Sequence, residues 1–192
     1  MKNKIEILKQ EPLHNPMYVK PFKVLYRQNG LEKHWEMVKS HDSVAILLFH
    51  KERNAFLMVK QFRAPVFLNN LNNDGFTYEL CAGIIDKNKS NVEIAKEEIL
   101  EECGFDVPLE RIEKVTSFYS NVGVSGSEQT LYFAEINESM KVSEGGGIEH
   151  EFIELVYVSL DDANSFMFDE SKPKTPGLMF SVIWYMTNKL DK

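Results

Sequence analysis

The amino-acid sequence predicts an α/β fold, in which helices pack on a β-sheet. Two patterns support this prediction. A continuous apolar run of the kind found in buried strands covers 44–49, and a helix with marked ends lies between Ser90 and Gly104. The chain has 192 residues, of which 43% are hydrophobic and 27% charged, so one domain with a sizeable core accounts for most of it.

The first predicted element is a β-hairpin with strands at 22–26 and 34–38. Asn29-Gly30 between them is a strong signal for a two-residue turn, although the flanking polar residues also permit a longer loop. An isolated hairpin is marginal in water, so this one needs a packing partner, either the main domain or a second copy of the chain. We therefore divide the chain into an N-terminal hairpin segment, 1–40, and a main domain, 41–192.

The main domain contains a series of predicted strands and two further helices. The strands cover 44–49, 56–63, 78–83, 114–119, 129–136 and 152–158, and the helices cover 161–168 and 177–190. Two aromatic residues of the last helix, Trp184 and Tyr185, are expected in the core rather than in a binding platform.

Three loops between these elements differ in character. The Asn-rich stretch 68–76 is a loop or a hairpin tip. The stretch 120–127 is rich in hydroxyl groups and either lines a substrate pocket or is a plain connection. Three glycines in 144–151 permit mobility, and two acids that follow them, Glu149 and Glu151, could be carried toward a metal site.

The helix between Ser90 and Gly104 has clear start and stop signals. Ser90 and Glu93 form a capping box, and Gly104 is of the type found just past a helix C-terminus. At about 100° per residue, the helix presents one apolar stripe to the core. The stripe consists of Val92, Ala95, Ile99 and Cys103.

Acidic side chains crowd this helix. Glu98 and Glu102 lie one turn apart at the margin of the apolar stripe, while Glu93, Glu97 and Glu101 point toward solvent. Like charges four residues apart destabilise a helix by roughly 0.2–0.5 kcal/mol per pair. A divalent cation would turn this repulsion into coordination, and clustered carboxylates suit Mg²⁺ or Mn²⁺ better than zinc. The alternative is a solvated acidic face without a ligand.

The composition argues against several classes of partner. A net charge of −7 disfavours nucleic acid or an anionic membrane surface as the main partner. The N-terminus lacks the apolar core of a signal peptide, and no apolar run is long enough to cross a bilayer. Cys81 and Cys103 belong to no metal-binding spacing, so we expect reduced packing residues in a cytoplasmic protein.

The segment from Gly83 to Phe105 resembles the Nudix box, whose pattern is G-x5-E-x7-R-E-U-x-E-E-x-G-U with U a bulky apolar residue. The positions in register are Gly83, Glu98, Ile99, Glu101, Glu102, Gly104 and Phe105. Two positions depart from the pattern, because Lys89 stands in place of the first Glu and Glu97 in place of the Arg. Since these departures exchange charge sign, we hypothesise that Lys89 and Glu97 form a pair of reversed polarity.

The resemblance extends along most of the chain, from about 18 to 184. The stretches 26–30, 41–44, 59–63, 79–83, 126–130 and 145–147 occur in the same order in the UDP-sugar pyrophosphatases of the Nudix family. This resemblance implies a Nudix α/β/α sandwich around a mixed sheet, preceded by a small N-terminal β segment for dimerisation. It also implies a homodimer that acts on a small-molecule nucleotide sugar with Mg²⁺ or Mn²⁺.

The resemblance further implies the residues of the catalytic centre. The metal ligands would be the main-chain carbonyl of Ala82 and the carboxylates of Glu98, Glu101 and Glu102. The general base would be Glu149 or Glu151. Spacing alone does not choose between them; Glu149 is nearer the glycines and is slightly preferred, whereas Glu151 aligns better with the acid that precedes the last strand in relatives.

Substrate binding is implied for Arg63, Glu79 and Gly83. Arg63 is a permanently charged planar fork near the end of a predicted strand, which suits a phosphate or carboxylate ligand. The alternative for Arg63 is a salt bridge to a glutamate of the box.

The predicted reaction is hydrolysis of a nucleoside diphosphate sugar, UDP-glucose-like or ADP-ribose, to a nucleoside monophosphate and a sugar 1-phosphate. Within this class the alternative is a pyrophosphatase specific for ADP-ribose. From another class, the alternative is a non-catalytic Nudix-fold module that binds a nucleotide, which the departures at Lys89 and Glu97 favour. Retention of Glu98, Glu101 and Glu102 favours the enzyme, because a pure binder does not need the full set of carboxylates.

Overall fold

The computed structural model describes residues 5–16, 19–70, 74–148 and 151–190. The chain divides into two compact units. Met1–Ser40 and Asn121–Gly126 form the first, and His41–Ser120 and Ser127–Lys192 form the second. No helix within the described ranges is both long and apolar enough to cross a bilayer.

The first unit contains an antiparallel hairpin of two strands, β1 (Lys20–Gln28) and β2 (Leu31–Lys39). Asn29 and Gly30 connect them with φ angles of 52° and 80°. A tight two-residue hairpin turn requires this left-handed conformation at both positions, and Asn and Gly are the residues that adopt it most readily. The predicted hairpin is confirmed, and its connection is the two-residue turn rather than the longer loop.

A second segment, Asn121–Gly126, belongs to the same unit. The Nε1–H of Trp35 donates a hydrogen bond of 2.9 Å to the carbonyl of Gly123, and the N–H of Val38 donates one of 2.9 Å to the carbonyl of Val124. This segment is therefore hydrogen-bonded to β2. From the sequence it could either line a substrate pocket or be a plain connection.

The second unit contains one mixed sheet. Its described strands are β3 (Ser43–His50), β4 (Ala55–Phe62), β5 (Phe76–Glu79), β6 (Cys81–Ile84), β7 (Glu113–Ser120), β8 (Ser127–Ile136) and β9 (Glu154–Ser159). The main path runs β5-β4-β3-β8-β7, while β6 also pairs with β3 and β9 with β4. β3 and β8 are parallel, and the other pairs are antiparallel.

Helices cover both faces of this sheet. The described α-helices are α1 (Ala64–Asn69), α2 (Asn91–Glu98), α3 (Leu160–Phe168) and α4 (Pro176–Asn188). Side chains of β3 alternate between two cores, because successive residues of a strand point to opposite faces. Those facing α2 are Val44, Ile46 and Leu48, and those facing α3 and α4 are Ala45, Leu47 and Phe49. The predicted α/β/α sandwich is confirmed, with β3 as its buried central strand.

The predicted strand 78–83 is split at Leu80. Its first part, β5, pairs with β4, and its second part, β6, pairs with β3. β3 and β4 pair directly at 48–50 and separate beyond, so the chain fills the opening between them by pairing with each in turn. This split depends on the position of two other strands and has no local signal.

A short helix also lies where the sequence predicts a loop. α1 overlaps the stretch 68–76, of which 71–73 lie outside the described residues. It has six residues, too few for an apolar periodicity to identify it, and Pro65 lies in its first turn, where the missing N–H costs nothing.

The predicted core residues are found in the core. Cys81 and Cys103 are free and buried, and burial raises the pKa of the Cys81 thiol, which disfavours the reactive thiolate. Tyr185 is buried with its ring 5.0 Å from that of Phe56, and Trp184 packs on the same core.

Candidate functional site

The acidic helix ends in a wider turn than the sequence predicts. It begins at the predicted capping box, in which the N–H of Ser90 donates a 2.8 Å hydrogen bond to the Glu93 carboxylate. After Glu98 the backbone changes to a π-helical turn, Ile99–Cys103, and ends at Gly104 with φ 80°. Such turns are often found at functional sites, and this one carries two of the predicted metal ligands.

Two acids of this helix lie against β6. Glu102 is buried, with 6% of its surface exposed, and its Oε2 accepts a 3.0 Å hydrogen bond from the N–H of Ala82. The Glu98 carboxylate covers Gly83, because a Cβ atom added to Gly83 would overlap it. The structure thus brings together Ala82, Gly83, Glu98 and Glu102.

The pKa values of both carboxyl groups are about 7, well above the ordinary 4.5. Burial is the largest cause at each, since it disfavours the charged form. Negative neighbours add to it: Glu101 at Glu98, and Glu98 at Glu102. A cation bound between these groups would favour the ionised forms and lower both pKa values.

This electrostatic strain predicts how stability depends on pH in metal-free protein. Because the folded-state pKa values of Glu98 and Glu102 exceed the unfolded value, their contribution to stability is fully present below pH 4.5 and is lost as the pH rises through about 7. We expect Glu102 alone to lower the free energy of unfolding by on the order of 3 kcal/mol over this interval, and the partly exposed Glu98 to add less, because solvent screens its charge. Denaturant unfolding in the presence of EDTA would measure it.

The control for this prediction is the double variant Glu98→Gln with Glu102→Gln, in which the fall should largely disappear. Saturating Mg²⁺ or Mn²⁺ should also reduce it, because a bound cation stabilises the ionised carboxylates. Metal-free stability that stays level or rises across the interval would contradict the burial of these two charges.

The residues fit a divalent cation. Within the described ranges no three acidic, histidine or cysteine side chains converge as a ready metal cluster. The donors are nevertheless hard oxygens that repel each other, and no lysine or arginine of the described chain forms an ion pair with Glu98 or Glu102. Crowded carboxylates without a cationic partner are the donor set that such an ion would stabilise.

Gly83 is predicted to be required for the position of the Glu98 carboxylate. In Gly83→Ala the added methyl group would displace this flexible side chain, so Mn²⁺ affinity should fall by about tenfold while stability changes by less than about 1 kcal/mol. Calorimetry and denaturant unfolding would measure the two effects. Gly123→Ala is the matched control, because a Cβ at Gly123 meets nothing within 4 Å.

The glycine-rich loop is attached to the end of the acidic helix. The N–H groups of Gly146 and Gly147 donate hydrogen bonds of 2.8 and 3.2 Å to the main-chain carbonyls of Glu102 and Glu101. Gly145 has φ 63°, and a Cβ there would collide with the backbone of Glu102. The glycines thus allow the backbone of the loop to approach that of the helix end closely. The sequence predicts only a mobile loop here.

Glu151 acts electrostatically on the same acids, whereas Glu149 lies outside the described residues. The negative charge of Glu151 raises the pKa of both Glu98 and Glu102, so its carboxylate lies within electrostatic reach of theirs. Its Oε2 accepts a 3.0 Å hydrogen bond from the N–H of Ile148, which holds the side chain in place.

Arg63 pairs with Glu79 rather than with a glutamate of the box. Its Nε and Nη2 donate hydrogen bonds of 2.8 and 2.7 Å to the two oxygens of Glu79. The Oγ1–H of Thr77 donates to the same carboxylate at 2.5 Å. Thr77 is not predicted from the sequence as a site residue, although it shares a face with Glu79, two residues further along the strand. The Arg63 side chain remains 46% exposed, which leaves room for a ligand.

The hypothesised pair of reversed polarity is present. Lys89 forms a short ion pair with Glu97, and the Nζ of Lys87 lies 3.2 Å from the other oxygen of Glu97. Both hydrogen bonds lower the pKa of Glu97, and the one from Lys89 has the larger effect. The contact of Lys87 with Glu97 is not predicted from the sequence, because the loop that carries Lys87 has no periodicity.

Comparison with known proteins gives concordant matches. The family model of the NUDIX domain matches residues 39–176. A uridine diphosphate glucose pyrophosphatase NUDT14 of Bos taurus is 37% identical, over 88% of this chain and 89% of its own, and that of Mus musculus is 35% identical over 91% and 90%. A GDP-mannose pyrophosphatase of Cronobacter sakazakii is 34% identical over 67% of this chain and 65% of its own.

Proposed function

Since the chain belongs to the Nudix family, we propose that it is an enzyme that hydrolyses the diphosphate bond of a nucleoside diphosphate sugar. Its products are a nucleoside monophosphate and a sugar 1-phosphate. The observation that carries this proposal is the packing of two crowded carboxylates, those of Glu98 and Glu102, against Ala82 and Gly83, without an ion-pair partner among the described residues. The relatives named as UDP-glucose and GDP-mannose pyrophosphatases support the substrate class.

Nudix hydrolases generally use divalent metal ions, and we propose Mg²⁺ here, with Mn²⁺ as a substitute. The residues that would hold the ion are the main-chain carbonyl of Ala82 and the carboxylates of Glu98, Glu101 and Glu102. When bound, such an ion neutralises non-bridging oxygens of the diphosphate and acidifies the attacking water.

We assign the general base to Glu151. Its carboxylate lies within electrostatic reach of Glu98 and Glu102, and a base must lie within hydrogen-bond reach of the attacking water. Glu151 would take the proton of that water as oxygen attacks one phosphorus and the bridging P–O bond breaks. Glu149 stays an alternative, since no described contact bears on it.

We assign substrate binding to Arg63, Glu79 and Gly83. Glu79 and Thr77 hold the guanidinium of Arg63, so less conformational entropy is lost when Arg63 binds an anionic group of the substrate. Gly83 leaves space for the Glu98 carboxylate beside β6.

A product assay tests the proposed function. Purified protein would be incubated with Mg²⁺ and UDP-glucose, GDP-mannose, ADP-ribose or a diadenosine polyphosphate, and the products identified. Formation of a nucleoside monophosphate and a sugar 1-phosphate is expected from UDP-glucose or GDP-mannose, whereas cleavage of ADP-ribose would give AMP and ribose 5-phosphate. Turnover of ADP-ribose alone would favour the narrower enzyme, and binding without any turnover would favour the non-catalytic module.

We also propose a homodimer in which the segment 1–40 takes part in the subunit interface. The hairpin of β1 and β2 supports this, because a two-stranded ribbon needs a packing partner and this one exposes Leu25, Leu31 and Trp35. Light scattering should give the mass of two chains, and removal of 1–40 should give one. The net charge of −7 disfavours nucleic acid as a further partner.

A further inference from the structure

Glu97 lies between two lysines at the edge of the acidic site. Its two oxygens bind different cations, Oε1 that of Lys89 and Oε2 that of Lys87 at 3.2 Å. Both lysine side chains are 44% exposed, so packing alone does not fix their direction. Among the residues that the structure describes, Glu97 is the ion-pair partner of both.

The two lysines act electrostatically on different sets of acids. The Lys87 ammonium acts electrostatically on Glu101 and Glu98 as well as on Glu97, whereas Lys89 acts on Glu93 and Glu97. A lysine side chain is a point charge on a flexible stem. Without its partner, Lys87 would be attracted to the carboxylates of Glu98 and Glu101, where its ammonium would compete with a divalent cation for the same oxygens.

We propose that Glu97 is a positioning residue, which holds Lys87 beside the metal-binding carboxylates and prevents its ammonium from occupying them. The inference rests on the proposed function in one respect, namely that these carboxylates bind a divalent cation. The proposal gives a role to Glu97, which stands where the Nudix box has Arg. The acid is on the helix, and the lysines that it holds are on the preceding loop.

A thermodynamic cycle with Mn²⁺ as the probe tests this role. Calorimetry would measure Mn²⁺ affinity for the unmodified chain, Glu97→Gln, Lys87→Gln and the double variant. Glu97→Gln should weaken binding about three- to fivefold, the range of an exposed ion pair. In the Lys87→Gln background the same substitution should change affinity by less than about twofold, because the competing ammonium is gone.

The rival explanation is that Glu97 only adds negative charge to the site. This explanation requires that Glu97→Gln weaken Mn²⁺ binding equally in the unmodified chain and in the Lys87→Gln variant, and that result would overturn the proposal. Absence of Mn²⁺ binding at millimolar concentration would also overturn it. Lys89→Gln is the matched control, because Lys89 is equally exposed and also contacts Glu97; its Mn²⁺ affinity should stay within about twofold of the unmodified value. Thermal unfolding of each variant checks its folding.

The cycle does not depend on turnover, so its outcome and that of the product assay are separable. A coupled cycle in a protein that hydrolyses none of the nucleotide sugars would keep the role of Glu97 and overturn the enzymatic proposal. If the protein hydrolyses nucleotide sugars but the effects of the two substitutions are additive, the enzymatic proposal is kept and the role of Glu97 is overturned.

Discussion

Glu98→Gln and Glu102→Gln should each lower turnover of a nucleotide sugar by about a hundred- to thousandfold. Each substitution removes one charged oxygen of the proposed metal site while conserving the shape of the side chain. The loss corresponds to several kcal/mol of transition-state stabilisation, the amount that a metal ion typically supplies. Initial rates at saturating Mg²⁺ and substrate would measure it.

The folded structure should survive both substitutions. A glutamine at 102 can still accept the hydrogen bond from the N–H of Ala82, and removal of a buried charge should raise the stability of metal-free protein at neutral pH. Glu170→Gln, an exposed acid on the surface, is the matched control and should retain full activity. Near-normal turnover in both site variants would exclude the acidic helix as the metal site.

Glu151→Gln should lower kcat by about 10²- to 10⁴-fold, the range in which a positioned general base contributes. The amide cannot take the proton of water, but it can still accept the hydrogen bond from the N–H of Ile148, so the loop should keep its conformation. Mn²⁺ affinity should change much less than kcat. Steady-state kinetics together with calorimetry would separate the two effects.

The comparison with Glu149→Gln decides between the two candidate bases. If Glu149→Gln loses the activity and Glu151→Gln keeps it, the base is Glu149, and Glu151 serves only to hold the loop through Ile148. A loss in Glu151→Ala that exogenous formate or azide partly restores would support proton transfer by Glu151, because the truncated side chain leaves space for a small base.

Local signals in the sequence predict the elements whose ends are determined by neighbouring residues. Ser90 with Glu93 starts the acidic helix, Gly104 ends it, and Asn29-Gly30 makes the hairpin turn, all as predicted. The chemistry of a cap or turn depends on a few consecutive residues, so no knowledge of the tertiary structure is needed.

Features that depend on distant strands could not be predicted. β4 pairs with β5 in a register that places Gln61 opposite Thr77. Arg63, two residues after Gln61, therefore lies on the same face as Thr77 and Glu79, and a sequence does not reveal register between separate strands. The break at Leu80 has the same origin. The π-helical turn differs from an α-helical one by a single hydrogen-bond step, which apolar periodicity does not resolve.

The charge-exchanged pair lies between these cases. Lys89 and Glu97 could be paired from sequence because both occupy positions of a known pattern with opposite departures in sign. Lys87 occupies no position of that pattern, and its contact with the same carboxylate became evident only from the fold.

The hydrogen bonds from Gly146 and Gly147 to the carbonyls of Glu102 and Glu101 have a consequence for local unfolding. Because those carbonyls terminate the helix, fraying of its last turn and detachment of the loop should be one cooperative opening event. In native-state hydrogen–deuterium exchange, the two glycine amides should therefore share one protection factor with the amide of Gly104, and any ion that slows exchange at one should slow it at all three.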